Sequence, residues 1–262
     1  MAAEAAGLAS RSYGTVTSAV PADRARLRNQ GALLKEVREL LTLSRGYGME
    51  SVRQRAMSAA ETVSASLSEV VDDSTLELVV DLRLAFGRLL AALGANERAE
   101  KEHLDTAELS LSQGWTETAC AALALASHAA QARGDRASSG RAWHQCRDAM
   151  ESWPMNRPGE RCGILVDAVG DPLVAVQVLS ALAEVLVDGV EEDHSRAPII
   201  REIISRASEQ ASRCVSPPQG AVESLARVEE RIAPYGRGRG GRRRPGSTTT
   251  ITTDGQAAAG GK

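Results

Sequence analysis

The sequence predicts an all-α fold in which antiparallel helical hairpins stack as an α-solenoid. Three observations predict it. Leu, Val, Ile and Ala recur at spacings of three and four residues through most of the chain, the period of one helix face. Gly94 and Gly134 lie 40 residues apart, and each closes an alanine- and leucine-rich segment that a second helical segment follows. Self-similarity at such a period belongs to solenoids. Hydrophobic residues make up 43% of the 262 but aromatics only 3%. The core must then be built from Ala, Leu and Val, which favour close helix–helix contact.

Residues 1–21 show no helical period and are expected to form a flexible leader. A helical-repeat domain is expected over 22–235. Its first helix carries Leu27, Leu33, Leu34, Val37, Leu40 and Leu41 on one face and ends at "SRGYG", where glycine accepts the left-handed C-terminal geometry. A second helix is expected from Glu50 to Val70. Ser74 and Glu77 form an S-x-x-E capping box, whose side chains satisfy free backbone N–H groups reciprocally. It starts a helix from Thr75 to Leu93 that stops at Gly94. Asn96 is the expected N-cap of the fourth helix, which ends before Gly114. The fifth runs from Trp115 to Arg133 and stops at Gly134, with Asp135 as N-cap of the sixth.

Two prolines and a glycine in "ESWPMNRPG" end that sixth helix. "RCGILVDAVG" fits a short helix or, on its apolar run alone, a strand; its helical neighbours favour the helix. Asp171 and Pro172 supply a capping carboxylate and a proline at the first helical position. The helix they start is apolar nearly all round to Val187, so it should be buried. A ninth helix from Pro198 to Cys214 puts Ile199, Ile200, Ile203, Ile204 and Ala207 on one face. A last helix carries Val222, Leu225, Val228 and Ile232. Residues 236–262 have almost nothing to bury and are expected to form a disordered Arg/Gly-rich tail.

Charge is uneven along the chain. The tail holds six basic residues against one acidic, a net +5, which leaves −8 of the overall −3 on the rest. An acidic body is a poor nucleic-acid surface, whereas Arg237, Arg239, Arg242, Arg243 and Arg244 could neutralise phosphates without sequence preference. The first twenty residues contain Glu4 and no continuous apolar core, which does not fit a secretory signal; an organelle transit peptide stays open. The longest apolar run is interrupted by Gln177, Ser180 and Glu184 and is too polar to span a bilayer. Four scattered cysteines without a CxxC pair read as reduced, small hydrophobic residues of an intracellular protein, cytoplasmic or nuclear.

Gly87, Leu90, Gly94 and Ala99 sit at the spacing of the tetratricopeptide family, which the stretch therefore resembles. In that family a small residue on the first helix, a glycine at the turn and a small residue on the second helix let the two approach. The next unit is similar, with Ser127, Ala130, Gly134 and Ser139, and Trp143 where an aromatic is usual. The sequence departs from the family in its period of 40 against roughly 34. The usual tyrosines and a closing proline are missing. The resemblance covers residues 75–150 well and 21–233 loosely. It implies a groove lined by the first helix of each hairpin, with Asp81, Arg88, His128 and Gln131 as the polar side chains that contact a partner.

No catalytic motif competes with that expectation. His103, His128, His144 and His194 lie in no recognisable constellation, although Cys120, His128 and His144 would meet if their helices paired. No ligand spacing suits zinc, and no phosphate-binding or nucleophile-elbow motif occurs. The acidic groups at 71–73 and 191–193 read as solvated loops. The expected function is a protein–protein interaction scaffold that binds a partner peptide or helix, with no enzymatic activity, metal, cofactor or membrane contact. The alternative is an RNA- or DNA-associated protein whose tail arginines supply the phosphate contacts.

Overall fold

The computed structural model describes residues 21–67 and 75–235. Among them the regular structure is helical. The helices are α1 (Pro21–Tyr47), α2 (Arg53–Leu67), α3 (Leu76–Ala92), α4 (Asn96–Ser112), α5 (Thr116–Ala132), α6 (Arg136–Glu151), α7 (Pro158–Val169), α8 (Pro172–Val187), α9 (Arg196–Ser212) and α10 (Gln219–Ile232), with 3-10 turns at Met49–Ser51 and Ala233–Tyr235. All ten fall where the sequence expects a helix, including α7 over the ambiguous "RCGILVDAVG". The leader, the residue Ser74 of the capping box, the acidic group at 71–73 and the tail arginines lie outside the described residues.

The turns after α3, α4 and α5 are the same object repeated every twenty residues. Gly94, Gly114 and Gly134 have φ of 82°, 71° and 82°, the left-handed region that a side chain resists. The residue after each glycine bonds back across the turn: Ala95 N–H to Leu90 at 2.9 Å, Trp115 to Ser110 at 2.9 Å, Asp135 to Ala130 at 3.0 Å. This is the Schellman closure, and it satisfies carbonyls that the helix end would leave free. It also corrects one expectation. Asn96 is the first helical residue rather than the cap, because Ala95 already accepts the N–H of Ala99 at 3.0 Å and so starts the helix one residue earlier. Asp135 does cap α6, accepting the Ser138 N–H at 3.0 Å. Asp171 caps α8, accepting from Leu173 at 2.9 Å and Val174 at 3.3 Å.

The helices α3, α4 and α5 each pack against the next one along the chain. The odd-numbered helices also form an unbroken row, α1 on α3, α3 on α5, α5 on α7 and α7 on α9. On the other side α8 packs on α6, α9 and α10. Two apolar clusters result. One joins α1, α2 and α3 around Leu40, Leu82 and Phe86. The other joins α5 to α10 around Leu179, Leu182, Ile200 and Ile203. As expected from its composition, α8 is buried along most of its surface.

The small residues of the opening hairpins do what their size permits. Gly87 on α3 lies under the imidazole of His103 on α4, and a Cβ there would fall within 2.8 Å of both ring nitrogens. Forty residues on, the Ser127 hydroxyl donates to the Ser139 carbonyl at 3.0 Å, so α5 and α6 make a comparable close contact. Leu90 and Ala99 are buried beside the first contact. Cys120 and Cys146 face each other across α5 and α6, the Cys146 thiol donating to the Cys120 carbonyl at 3.4 Å.

Candidate binding cleft

A cleft of about 770 Å³ opens between α5, α6, α8 and α10. Its walls follow from helix periodicity. His128 and Gln131 are one turn apart on α5; Arg136, Trp143 and Arg147 follow one face of α6; Gln177, Ser180 and Glu184 do the same on α8 at spacings of three and four. The start of α10 closes the cleft with Gly220, Ala221 and Ser224. The three α8 residues are the interruptions of the longest apolar run. That run buries its other faces and leaves one polar stripe for the cleft.

Most polar groups in the cleft are satisfied by one another. His128 Nε2 lies 2.8 Å from Gln177 Oε1, so with an amide oxygen in that place Nε2 carries the proton. Glu184 is held by Arg147 at 3.3 Å, by Arg227 at 3.8 Å and by the Ser224 hydroxyl. Ser180 donates to the Ala221 carbonyl at 3.1 Å, tying α8 to α10. Two polar side chains remain unengaged. Gln131 and Arg136 are exposed, with no hydrogen-bond or ion-pair partner among the described residues, and both line the cleft with the half-buried Trp143 indole.

The four groove residues expected from the sequence divide into two places. His128 and Gln131 share this cleft. Asp81 and Arg88 lie elsewhere, where α1 and α3 meet the end of α7. Asp81 pairs with Arg38 of α1 at 3.3 Å. Arg88 donates through Nη1 to the Val169 carbonyl at 3.3 Å. The sequence reading missed Arg136, Arg147, Gln177 and Glu184 as lining residues. For the two on α8 a signal was present, the three- and four-residue spacing of the polar interruptions. For those on α6 none was, since which face of α6 meets α8 depends on contacts far apart in sequence.

The other candidate groups do not assemble into a reactive site. His103 is fully buried; burial, reinforced by Arg88, lowers its pKa from 6.5 to about 3 and keeps the ring neutral. His144 and His194 are exposed, the latter with its ring centroid 4.7 Å from that of Tyr235. Cys120, His128 and His144 do not converge, and no group of three or more His, Cys, Asp or Glu among the described residues could hold a metal ion. The hydrogen bond to Cys146 and burial push the Cys120 thiol far up, and burial pushes the Cys162 thiol up to about 12, so both are poor nucleophiles. No helix among the described residues is long and apolar enough to cross a membrane.

No family model, no curated protein and no solved structure matches the chain.

Proposed function

We propose that the protein is an interaction scaffold, its hairpins stacked as a tetratricopeptide-like solenoid, and that the cleft between α5, α6, α8 and α10 receives a partner peptide. The observation that carries this reading is the set of groups left over in the cleft. A half-buried indole lines one opening with a guanidinium and an amide that have no partner among the described residues, while His128, Ser180, Glu184 and Ser224 are each engaged. Aromatic and arginine side chains of that kind dominate the energetics of peptide docking. The unbroken row of odd-numbered helices and the twenty-residue turn supply the solenoid part of the reading. The working surface differs from the one the family resemblance implies: one wall comes from a first helix, α5, and three from the second helices α6, α8 and α10.

Selection of a random peptide library on the full chain tests the proposal. Peptides that bind the wild type should lose most of their affinity on Arg136→Glu, at an exposed position, and on Trp143→Ala, whose folding is checked by circular dichroism because the indole also packs against the apolar core. Peptides that bind all three proteins equally would remove the cleft from consideration. The nucleic-acid alternative makes a different mark. RNA binding that falls steeply with salt and disappears in a chain ending at Tyr235 would assign the function to the tail arginines instead.

A further inference from the structure

We propose that the junction of α1, α3 and the end of α7 is an oxyanion site, in which Arg45 and Arg88 hold a phosphoryl group. The site lies apart from the cleft and stands whether or not the cleft binds a peptide.

The geometry starts from two matched spacings. Arg38 and Arg45 are seven residues apart on α1, two turns along one face; Asp81 and Arg88 have the same spacing on α3. These helices pack together. At one end of the contact Arg38 meets Asp81 at 3.3 Å, an ordinary pair of opposite charges. At the other end two arginines come together. Arg45 donates to the Gly170 carbonyl and Arg88 to the Val169 carbonyl, so the two guanidinium groups sit on consecutive carbonyls of one helix end. Gly170 makes this possible. It has a φ of 62°, and a Cβ there would fall on the Arg88 guanidinium.

The negative charge present does not match. A helix C-terminus offers about half a unit. Asp81 is engaged with Arg38, and Asp171 is engaged with the backbone N–H groups of Leu173 and Val174. Arg88 Nε is shut away from solvent and has no hydrogen-bond partner, a charged donor lacking an acceptor. Burial and the charges of Arg45 and Arg38 lower the Arg88 pKa to about 10, and Asp81 and Asp171 offset them only in part. Arg45 is exposed, so an ion has a way in. A phosphoryl group carries up to two negative charges and three strong acceptor oxygens, which suits two guanidinium groups on separate helices.

The test uses the full chain and inorganic phosphate, with chloride at matched ionic strength as reference, read by thermal unfolding and by calorimetric titration. Phosphate should stabilise the wild type saturably and beyond chloride. Arg45→Gln, at an exposed position, should fold normally and weaken phosphate by about tenfold or more, the loss expected for one charge-assisted hydrogen bond. Arg88→Lys should weaken it too, because an ammonium cannot reproduce the fork; if that variant does not fold, Arg45→Gln decides alone. Arg213→Gln, just after α9 and paired with Glu209, should change nothing. The tail arginines are present in every variant, so a difference between variants reads the junction. A phosphate effect equal to that of chloride, or undiminished in Arg45→Gln, would overturn the proposal. A phosphoserine peptide and its unphosphorylated twin separate the sources. Tighter binding of the phosphopeptide than of inorganic phosphate assigns a phosphoprotein, binding of inorganic phosphate alone assigns the free ion, and either supports the site.

Discussion

At the scale of single residues, the contact between Gly87 and His103 sets the terms. A buried imidazole occupies the space a Cβ would need, and its Nδ1 has no partner in the interior. Gly87→Leu should destabilise the fold by roughly 1–3 kcal/mol through overpacking. Gly87→Ala should cost less in a His103→Ala background than alone, because the two residues share one space; additive losses in that double-mutant cycle would refute the contact. The same histidine predicts acid lability. In the unfolded chain it takes up a proton near pH 6.5, whereas in the folded chain burial holds its pKa at about 3. Below pH 6.5 the unfolded state therefore binds the extra proton, and stability falls as the pH drops from 6.5 toward 3, by about 1.4 kcal/mol per unit for one proton. His103→Leu removes the titration. Its stability should decline less steeply than the wild type's between pH 6.5 and 4 in urea titrations, and parallel slopes would contradict the burial of a neutral ring.

At the scale of elements, helix ends carried most of the legible information. Glycine at a left-handed position, a carboxylate before a proline and a proline-rich break act within a few residues of themselves, so a sequence displays them directly. Asp171 shows how local the effect is: it accepts two backbone N–H groups at the start of the helix it opens. Asp171→Ala should cost about 1 kcal/mol by chemical denaturation. The Asn96 assignment failed for a reason of the same scale. The glycine turn is so short that Ala95 closes one helix and opens the next, which leaves Asn96 inside α4. The candidate site was less legible. His128 and Gln177 are 49 residues apart, and Arg88 meets Val169 at a separation of 81. Helical periodicity says which residues share a face, but not which face meets which helix. Asp81 and Arg88 were for that reason grouped with His128 and Gln131, and the fold sends the two pairs to different places.

At the scale of the whole molecule, the question is whether two apolar clusters make two folding units or one. Shared helices argue for one. Most of the apolar side of α3 packs with α1 and α2, yet Leu84 of the same helix belongs to the larger cluster; Ala129 of α5 crosses the other way. A helix that serves both clusters cannot unfold with one and remain folded with the other, so the chain should unfold in a single cooperative transition. The tryptophans make this measurable. Trp115, Trp143 and Trp153 all lie outside α1, α2 and α3, so their fluorescence reports the other part of the molecule, while circular dichroism reports every helix. Leu82 is fully buried in the smaller cluster, and Leu82→Ala should cost about 2–5 kcal/mol. In a single unit that loss moves the fluorescence midpoint as far as the dichroism midpoint, although no tryptophan belongs to the altered cluster. A Leu82→Ala variant whose dichroism shifts while its fluorescence midpoint stays in place would show instead that α1 to α3 unfold by themselves.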